Sequence, residues 1–260
     1  MSHVSGTIMR FSTAAACFLS VIVGACAHAP IVPAGDFHQH LFGPGTRELS
    51  PTLPRVTARD LIAYLDSAGI RQALLLSIAY QFSNPNRPPV ADEYTRVRAE
   101  NDWTADQAAL YPDRLRAFCA VNPLKDYALE EIERCSRDPR LRYGLKLHFG
   151  NSDVQLEKPE HLERVQRVFR AANAHGMAIV VHMHPSYTMK RPYGTNYARI
   201  FLTKVLPAAP DVPVQIAHLG GSDGAVNGNT PLASWRAFQK VPLSAKEFAI
   251  IAHHVPPYMK

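Results

Sequence analysis

Apolar residues in this chain fall into short dense runs separated by amphipathic stretches, and the two alternate along its length. The run at 70–79, with Ala73-Leu74-Leu75-Leu76-Ser77-Ile78-Ala79 at its heart, is apolar at nearly every position, as expected of a strand buried on both faces of a parallel sheet. Similar runs occupy 115–121, 143–148, 177–182 and 214–218, and Ile31-Val32-Pro33-Ala34-Gly35 opens the series. Helical periodicity fills the spaces between them. Residues 58–67 put Leu61, Ile62 and Leu65 on one face, after a capping Thr57 and before a terminating Gly69. Further helices are predicted at 91–110, 127–136, 160–174 (ending near Gly176) and around 198–206, whereas Phe42-Gly43-Pro44-Gly45 reads as an irregular loop. Strands alternating with helices over short connections predict a parallel α/β fold.

In such folds the working residues sit at the carboxyl ends of the strands. The first run closes on Asp36-Phe37-His38-Gln39-His40, the fourth on Lys146 and His148, the fifth on His182 with His184 beyond it, and the sixth on His218. Side chains alternate along a strand, so His38 and His40 share one face, about 7 Å apart, as do Lys146 and His148. Imidazole is the commonest nitrogen ligand for zinc and its relatives, and the His38/His40 pair is spaced to share one ion. A lone strand-end histidine is more often a hydrogen-bonded loop residue. Four strand ends of one sheet carrying imidazoles favour a metal-binding mouth instead. His182 and His218 each directly end an apolar run, whereas His148, His184 and Lys146 read as substrate or supporting groups. His28, His161, His175, His253 and His254 have no such setting and read as surface residues. No glycine-rich fingerprint follows the first strand, which argues against a dinucleotide fold.

With 260 residues, 47% hydrophobic and 19% charged, the composition is that of an ordinary globular protein. The formal charge of +6 is scattered, with no run of Lys and Arg longer than two, so it describes a solvated surface and no nucleic acid is expected as a partner. The first 26 residues are expected to be a signal peptide: Arg10 precedes the apolar stretch 11–23, followed by small residues. Val23-Gly24-Ala25-Cys26 resembles a bacterial lipobox, so lipid anchoring at Cys26, plain secretion and an N-terminal helix are the three readings of this segment. Either of the first two implies export, to the periplasm or lipid-anchored to the bacterial envelope, with the membrane reached only through that anchor. Residues 27–260 would form one barrel domain. Of the remaining cysteines, Cys119 falls in a strand and Cys135 in a helix, and a disulfide or two buried free thiols both fit.

The strand-end motifs Asp36-Phe37-His38-Gln39-His40, Gly144-Leu145-Lys146-Leu147-His148, Val180-Val181-His182 and Ile216-Ala217-His218-Leu219-Gly220-Gly221 resemble those of the amidohydrolase-related proteins. These are metal-dependent TIM barrels that include hydrolases, lactonases and nonoxidative decarboxylases. The resemblance implies an α/β fold of the (β/α)8 type. It assigns His38, His40 and His182 as metal ligands, His218 as a group that binds metal or holds the catalytic water, and Asp223, in Gly221-Ser222-Asp223, as ligand and proton shuttle. The implied cofactor is a divalent metal, zinc first and manganese as the alternative, and Lys146, if carboxylated, would bridge a second ion. The implied reaction is attack of activated water on the amide, ester or lactone carbonyl of a small molecule. Decarboxylation of an aromatic or unsaturated acid would use the same ligands.

Asp223 lies only five residues after His218, and 42 residues (219–260) follow that histidine. A single βαβ unit takes about 30 residues. The barrel is therefore expected to be incomplete or open, lacking the region of strand seven, with oligomerisation as one way to cover its edges. A shortened barrel also admits a non-enzymatic reading, an exported binding protein.

Overall fold

The computed structural model describes residues 35–183, 195–218 and 248–251, residue 195 and the last four by backbone alone. The leader, Cys26, His184 and Asp223 lie outside the described residues. Seven strands, β1 (Gly35–Gln39), β2 (Gln72–Leu76), β3 (Leu115–Ala120), β4 (Gly144–His148), β5 (Ala178–His182), β6 (Val214–Ala217) and β7 (Phe248–Ile251), form one sheet in chain order, and every pairing is parallel. Helices α2 (Ala58–Ser67), α3 (Glu93–Ala109), α4 (Ala128–Arg137), α5 (Pro159–Ala174) and α6 (Thr195–Ile200) fill the crossovers between β1 and β6. Among the described residues no helix is long and apolar enough to cross a membrane.

The sheet curls into a barrel. In a flat sheet, β1 and β6 would lie five strand spacings apart, about 24 Å. Yet the rings of His38, on β1, and His218, just after β6, have centroids 4.9 Å apart. Among the described residues there is no eighth strand, and no pairing carries β7 back to β1. The result is an incomplete TIM barrel. The slot beside β6, expected to be missing, is taken by Phe248–Ile251, which pairs with it over four positions.

The two faces of the strands do different work, and the alternation decides which. Leu75, Ala117, Leu145, Leu147, Ile179, Val181 and Ile216 point outward and pack beneath helix residues such as Leu61, Leu65, Ile132, Val165 and Phe169. Leu76, Phe118 and Val180 point inward and form a small plug inside the barrel. Gly69 and Gly176 end α2 and α5 at φ +68° and +67°, the left-handed turn that glycine adopts without a Cβ clash. The stretch expected to be a loop begins a short helix, α1 (Pro44–Leu49): the fixed φ of Pro44 suits the first helical position, where its missing N–H costs nothing.

A buried polar knot ties the third strand to its helices. Asn101, on α3, grips the backbone of Ala120 at both groups, its Nδ2 donating to the carbonyl at 3.0 Å and its Oδ1 accepting from the amide at 2.9 Å. The same Nδ2 donates to Glu131 on α4 at 2.7 Å, and Arg134 donates two bonds to that fully buried carboxylate, at 2.8 and 2.7 Å. Beside it, Cys119 and Cys135 form a disulfide that fastens α4 to β3. Of the two readings the sequence left open, this is the bridged one.

Candidate metal centre

The carboxyl ends of β1, β4, β5 and β6 bring five imidazoles together. The irregularity that starts this is in β1, where the register with β2 shifts between Asp36 and Gln39. Such bulges re-aim side chains beside functional sites. Here Asp36 Oδ1 accepts the backbone N–H of His38 at 3.0 Å and secures the local turn of the strand. Phe37 faces outward, about half exposed, while His38 is buried. Ring centroids then step across the mouth: His40 to His38 at 5.1 Å, His38 to His218 at 4.9 Å, His218 to His182 at 4.7 Å, and His182 to His148 at 3.9 Å. His218 holds φ +56°, a left-handed conformation with a steric cost of about 1–2 kcal/mol for a side chain bearing a Cβ. Strain of this kind gathers at working sites, where the surrounding structure enforces it.

Hydrogen bonds assign the ring protons. His40 Nδ1 lies 2.7 Å from the carbonyl of Leu76. A carbonyl only accepts, so Nδ1 carries the proton and Nε2 is the nitrogen that bears the lone pair. Metal-binding histidines are oriented in this way, through a backbone carbonyl on the other nitrogen. In His148 the polarity is reversed: Nδ1 accepts the backbone N–H of Asn151 at 3.1 Å, which places the proton of the neutral ring on Nε2 and makes that nitrogen a donor. Burial pushes the pKa of both His148 and His182 well down, with the Lys146 charge adding to it, so both rings are neutral at ordinary pH. His148 also stacks on His182 with planes only 14° apart. The in-plane lone pairs of the two rings therefore lie in nearly parallel planes and do not converge on one ion.

The donor set fits a divalent cation. With metal–nitrogen bonds near 2.1 Å, two imidazoles on one tetrahedral ion have centroids about 5 Å apart, which matches the spacing of the His40, His38, His218 and His182 pairs. Three of these nitrogens do not converge on one point, because among the described residues the trio of ligand atoms within 4.8 Å of one another is Cys119, Glu131 and Cys135. The two sulfurs there are bonded to each other and offer no thiolate. Ligation at the mouth thus requires rotation of the imidazoles about their side-chain bonds.

The loop that follows His40 is anchored from below. Glu100, buried on α3, accepts the Gly43 amide at 2.9 Å, and a β-carbon at Gly43 would collide with that carboxylate. Burial raises the pKa of Glu100 against the bonds it accepts from Gly43 and Thr46.

Beneath the imidazoles lies a second polar layer. Lys146 pairs in register with Val180, and Val180 with Gln215, one pleat below His148 and His182. Lys146 is 1% exposed and Gln215 7%. Burial alone pushes the Lys146 ammonium down from the usual 10.5 to about 7. The unfolded chain therefore holds this proton up to about pH 10.5 and the folded chain only to about 7, so stability rises as pH climbs through that window. Chelator-treated protein is expected to gain up to about 1.4 kcal/mol per pH unit between about pH 7 and 9 in urea titrations. Lys146→Met should flatten that gain.

The structure thus brings His38, His40, Lys146, His148, His182 and His218 to one end of the barrel. Gln215 and Tyr80, whose ring lies 5.0 Å from His148, join them without having been singled out in the sequence. Reading the period-two alternation of β6 back from Ala217 would have placed Gln215 on the inner face; nothing local marks Tyr80, which sits in a 3-10 turn after β2. A cleft of about 670 Å³ lined by Gly35, Phe37, Gly69, Arg71 and Asp113 opens at the opposite, amino end of the strands, away from these groups.

Fold and mouth together define an α/β barrel of the kind that carries its chemistry at the carboxyl ends of the strands. The chain belongs to the amidohydrolase family, whose model matches residues 36–243 and so begins on the Asp36–His40 motif. No curated protein matches it. Solved structures with a similar fold include 5-carboxyvanillate decarboxylase LigW from Sphingomonas paucimobilis, with 21% identity over 85% of this chain and 80% of that one, at a TM-score of 0.56. The 2,6-dihydroxybenzoate decarboxylase from Rhizobium has 18% identity over 85% and 79% of the two chains, at a TM-score of 0.56. An amidohydrolase II has 18% identity over 79% and 73%, at a TM-score of 0.52.

Proposed function

We propose that this chain is a metal-dependent enzyme that hydrolyses an amide, ester or lactone of a small molecule, with His38, His40, His182 and His218 holding a zinc or manganese ion. The observation that carries this is the His40 Nδ1–H bond to Leu76, which makes Nε2 the ligating nitrogen beside His38. When bound, such an ion polarises a carbonyl and lowers the pKa of water toward about 7. His218, whose backbone is held in the left-handed conformation at the mouth, orients the attacking water or the developing oxyanion. Asp223 takes the proton and returns it to the leaving group, a role that rests on its Gly-Ser-Asp context. His148, with Nε2–H as donor, faces the substrate.

A second reading, nonoxidative decarboxylation of an aromatic or unsaturated acid, is favoured by two of the solved neighbours being decarboxylases of hydroxybenzoate-type acids. Export belongs to the same proposal. It rests on the signal pattern of residues 1–26, and the Cys119–Cys135 disulfide supports an oxidising compartment.

The test is to load purified protein with zinc or manganese, measure bound metal, and assay panels of amides, esters and lactones beside CO2 release from hydroxybenzoates. Metal-dependent turnover that chelation removes and metal restores is the expected result. Protein that holds no stoichiometric metal under replete conditions overturns the proposal, and CO2 release without any hydrolysis selects the second reading.

A further inference from the structure

Lys146 Nζ and Gln215 Nε2 are both buried, and among the described residues neither has a hydrogen-bond partner. Each is a donor, and both lie on the inner face of the barrel, on either side of Val180 in one register layer. Their strands are two spacings apart, about 10 Å, a gap that a lysine and a glutamine side chain bridge together. Ala120, in register with Lys146, and Val180 present only small apolar side chains between and beside them. One pleat above, toward the mouth, His148 adds a third donor: Nε2 carries its proton, with Nδ1 already occupied by Asn151. Native structures rarely leave buried donors unanswered, and an ammonium least of all. Lys146 Nζ, Gln215 Nε2 and His148 Nε2 are thus three donor atoms that gather in adjacent layers, the first two without an acceptor, and together they describe the complement of an anion.

We propose that Lys146, Gln215 and His148 form an anion pocket inside the barrel, directly beneath the imidazole mouth, which binds a carboxylate carried by the substrate as its recognition group. This deepens the enzymatic reading of the mouth and rests on it for the word substrate, while the pocket itself is built from residues that are not metal ligands. A carboxylate accepts through two oxygens with about four lone-pair sites, which suits an ammonium, an amide N–H and an imidazole N–H at once. Neutral amides and esters can accept through one carbonyl oxygen but bring no charge to the ammonium, so the pocket selects among small molecules for carboxylates.

The experiment titrates benzoate, with benzamide as the neutral isostere, into metal-loaded and into chelator-treated protein, read by calorimetry and by melting temperature. Wild type is expected to bind benzoate at least about tenfold more tightly than benzamide, the scale of a hydrogen bond to a charged group. Lys146→Met should lose roughly tenfold or more in benzoate affinity with benzamide unaffected, and Gln215→Leu should lose less in the same direction. Without ligand, Lys146→Met is expected to melt higher than wild type, since it removes an unanswered buried charge, and this reports that the variant folds. Benzoate binding that survives chelation and disappears in Lys146→Met upholds the pocket even if the metal reading has failed. Benzoate binding that requires metal and is the same in wild type, Lys146→Met and Gln215→Leu overturns the pocket and leaves the metal reading standing. Equal affinity for benzoate and benzamide in wild type also overturns it.

Discussion

Replacing His38 and His40 together by alanine is expected to strip the protein of metal and abolish turnover while leaving it folded. Loss of a group that only orients a metal ligand already costs about 10–100-fold in affinity, so loss of two ligands should cost more than about 10³-fold. Activity should fall at least as far, because the remaining imidazoles do not hold an ion in place. Stability should hardly change, since both rings stand at the end of an edge strand, in the mouth, and neither belongs to the packed layer between strands and helices. Metal analysis after gel filtration, with circular dichroism on the same samples, checks both halves of this expectation. His175→Ala is the control: that ring pairs with Glu133 at 2.7 Å on the surface and its loss should leave metal content alone. Full metal occupancy in the double variant would place the ion elsewhere.

The second large effect is on stability. Glu131→Ala is expected to destabilise the fold by about 3 kcal/mol, toward the lower end of what breaking a buried ion pair costs. The lower end applies because Arg134 keeps Asp102 as a partner and its side chain remains about a quarter exposed. The damage should spread to β3, because Asn101, which closes the backbone of Ala120, loses its second acceptor. Ala120 is in register with Lys146, so the loss reaches the floor of the mouth. In urea titration the midpoint should fall at unchanged slope. Glu131→Gln, which keeps the acceptors and removes the charge, should cost about half as much. A shift below about 1 kcal/mol for the alanine variant would mean that the disulfide alone holds α4 to β3.

Much of the frame is legible in the chain itself. The runs at 70–79, 115–121, 143–148, 177–182 and 214–218 each contain a strand, and Gly69 and Gly176 end their helices in the left-handed conformation. Period-two alternation correctly puts His38 with His40 and Lys146 with His148, because a strand has only two faces and one of them is filled by the helix layer. The errors share a cause. The strand expected over 70–79 ends at Leu76, and Ala79–Ser83 forms a 3-10 turn, because an apolar composition reports burial and not backbone geometry. The helix at Pro44 and the knot around Glu131 were invisible because their partners, Glu100 for the one and Asn101 for the other, lie tens of residues away.

The parallel α/β class, the order of its elements and the histidines available at the strand ends are therefore written in the chain alone. Those follow from local periodicity and need no knowledge of which element lies beside which. The packing of the folded chain is what curls the sheet far enough to bring His38 against His218 across five strand spacings. It alone set the ring protons of His40 and His148 apart, since each is fixed by a backbone group placed by folding: Leu76 on the neighbouring strand, and Asn151 in the turn after β4. It alone put Lys146 and Gln215 in one layer, through registers that no single strand encodes. One cause is common to all three: a side chain's identity is local, but its donors, acceptors and charge acquire a direction only when distant segments pack around it.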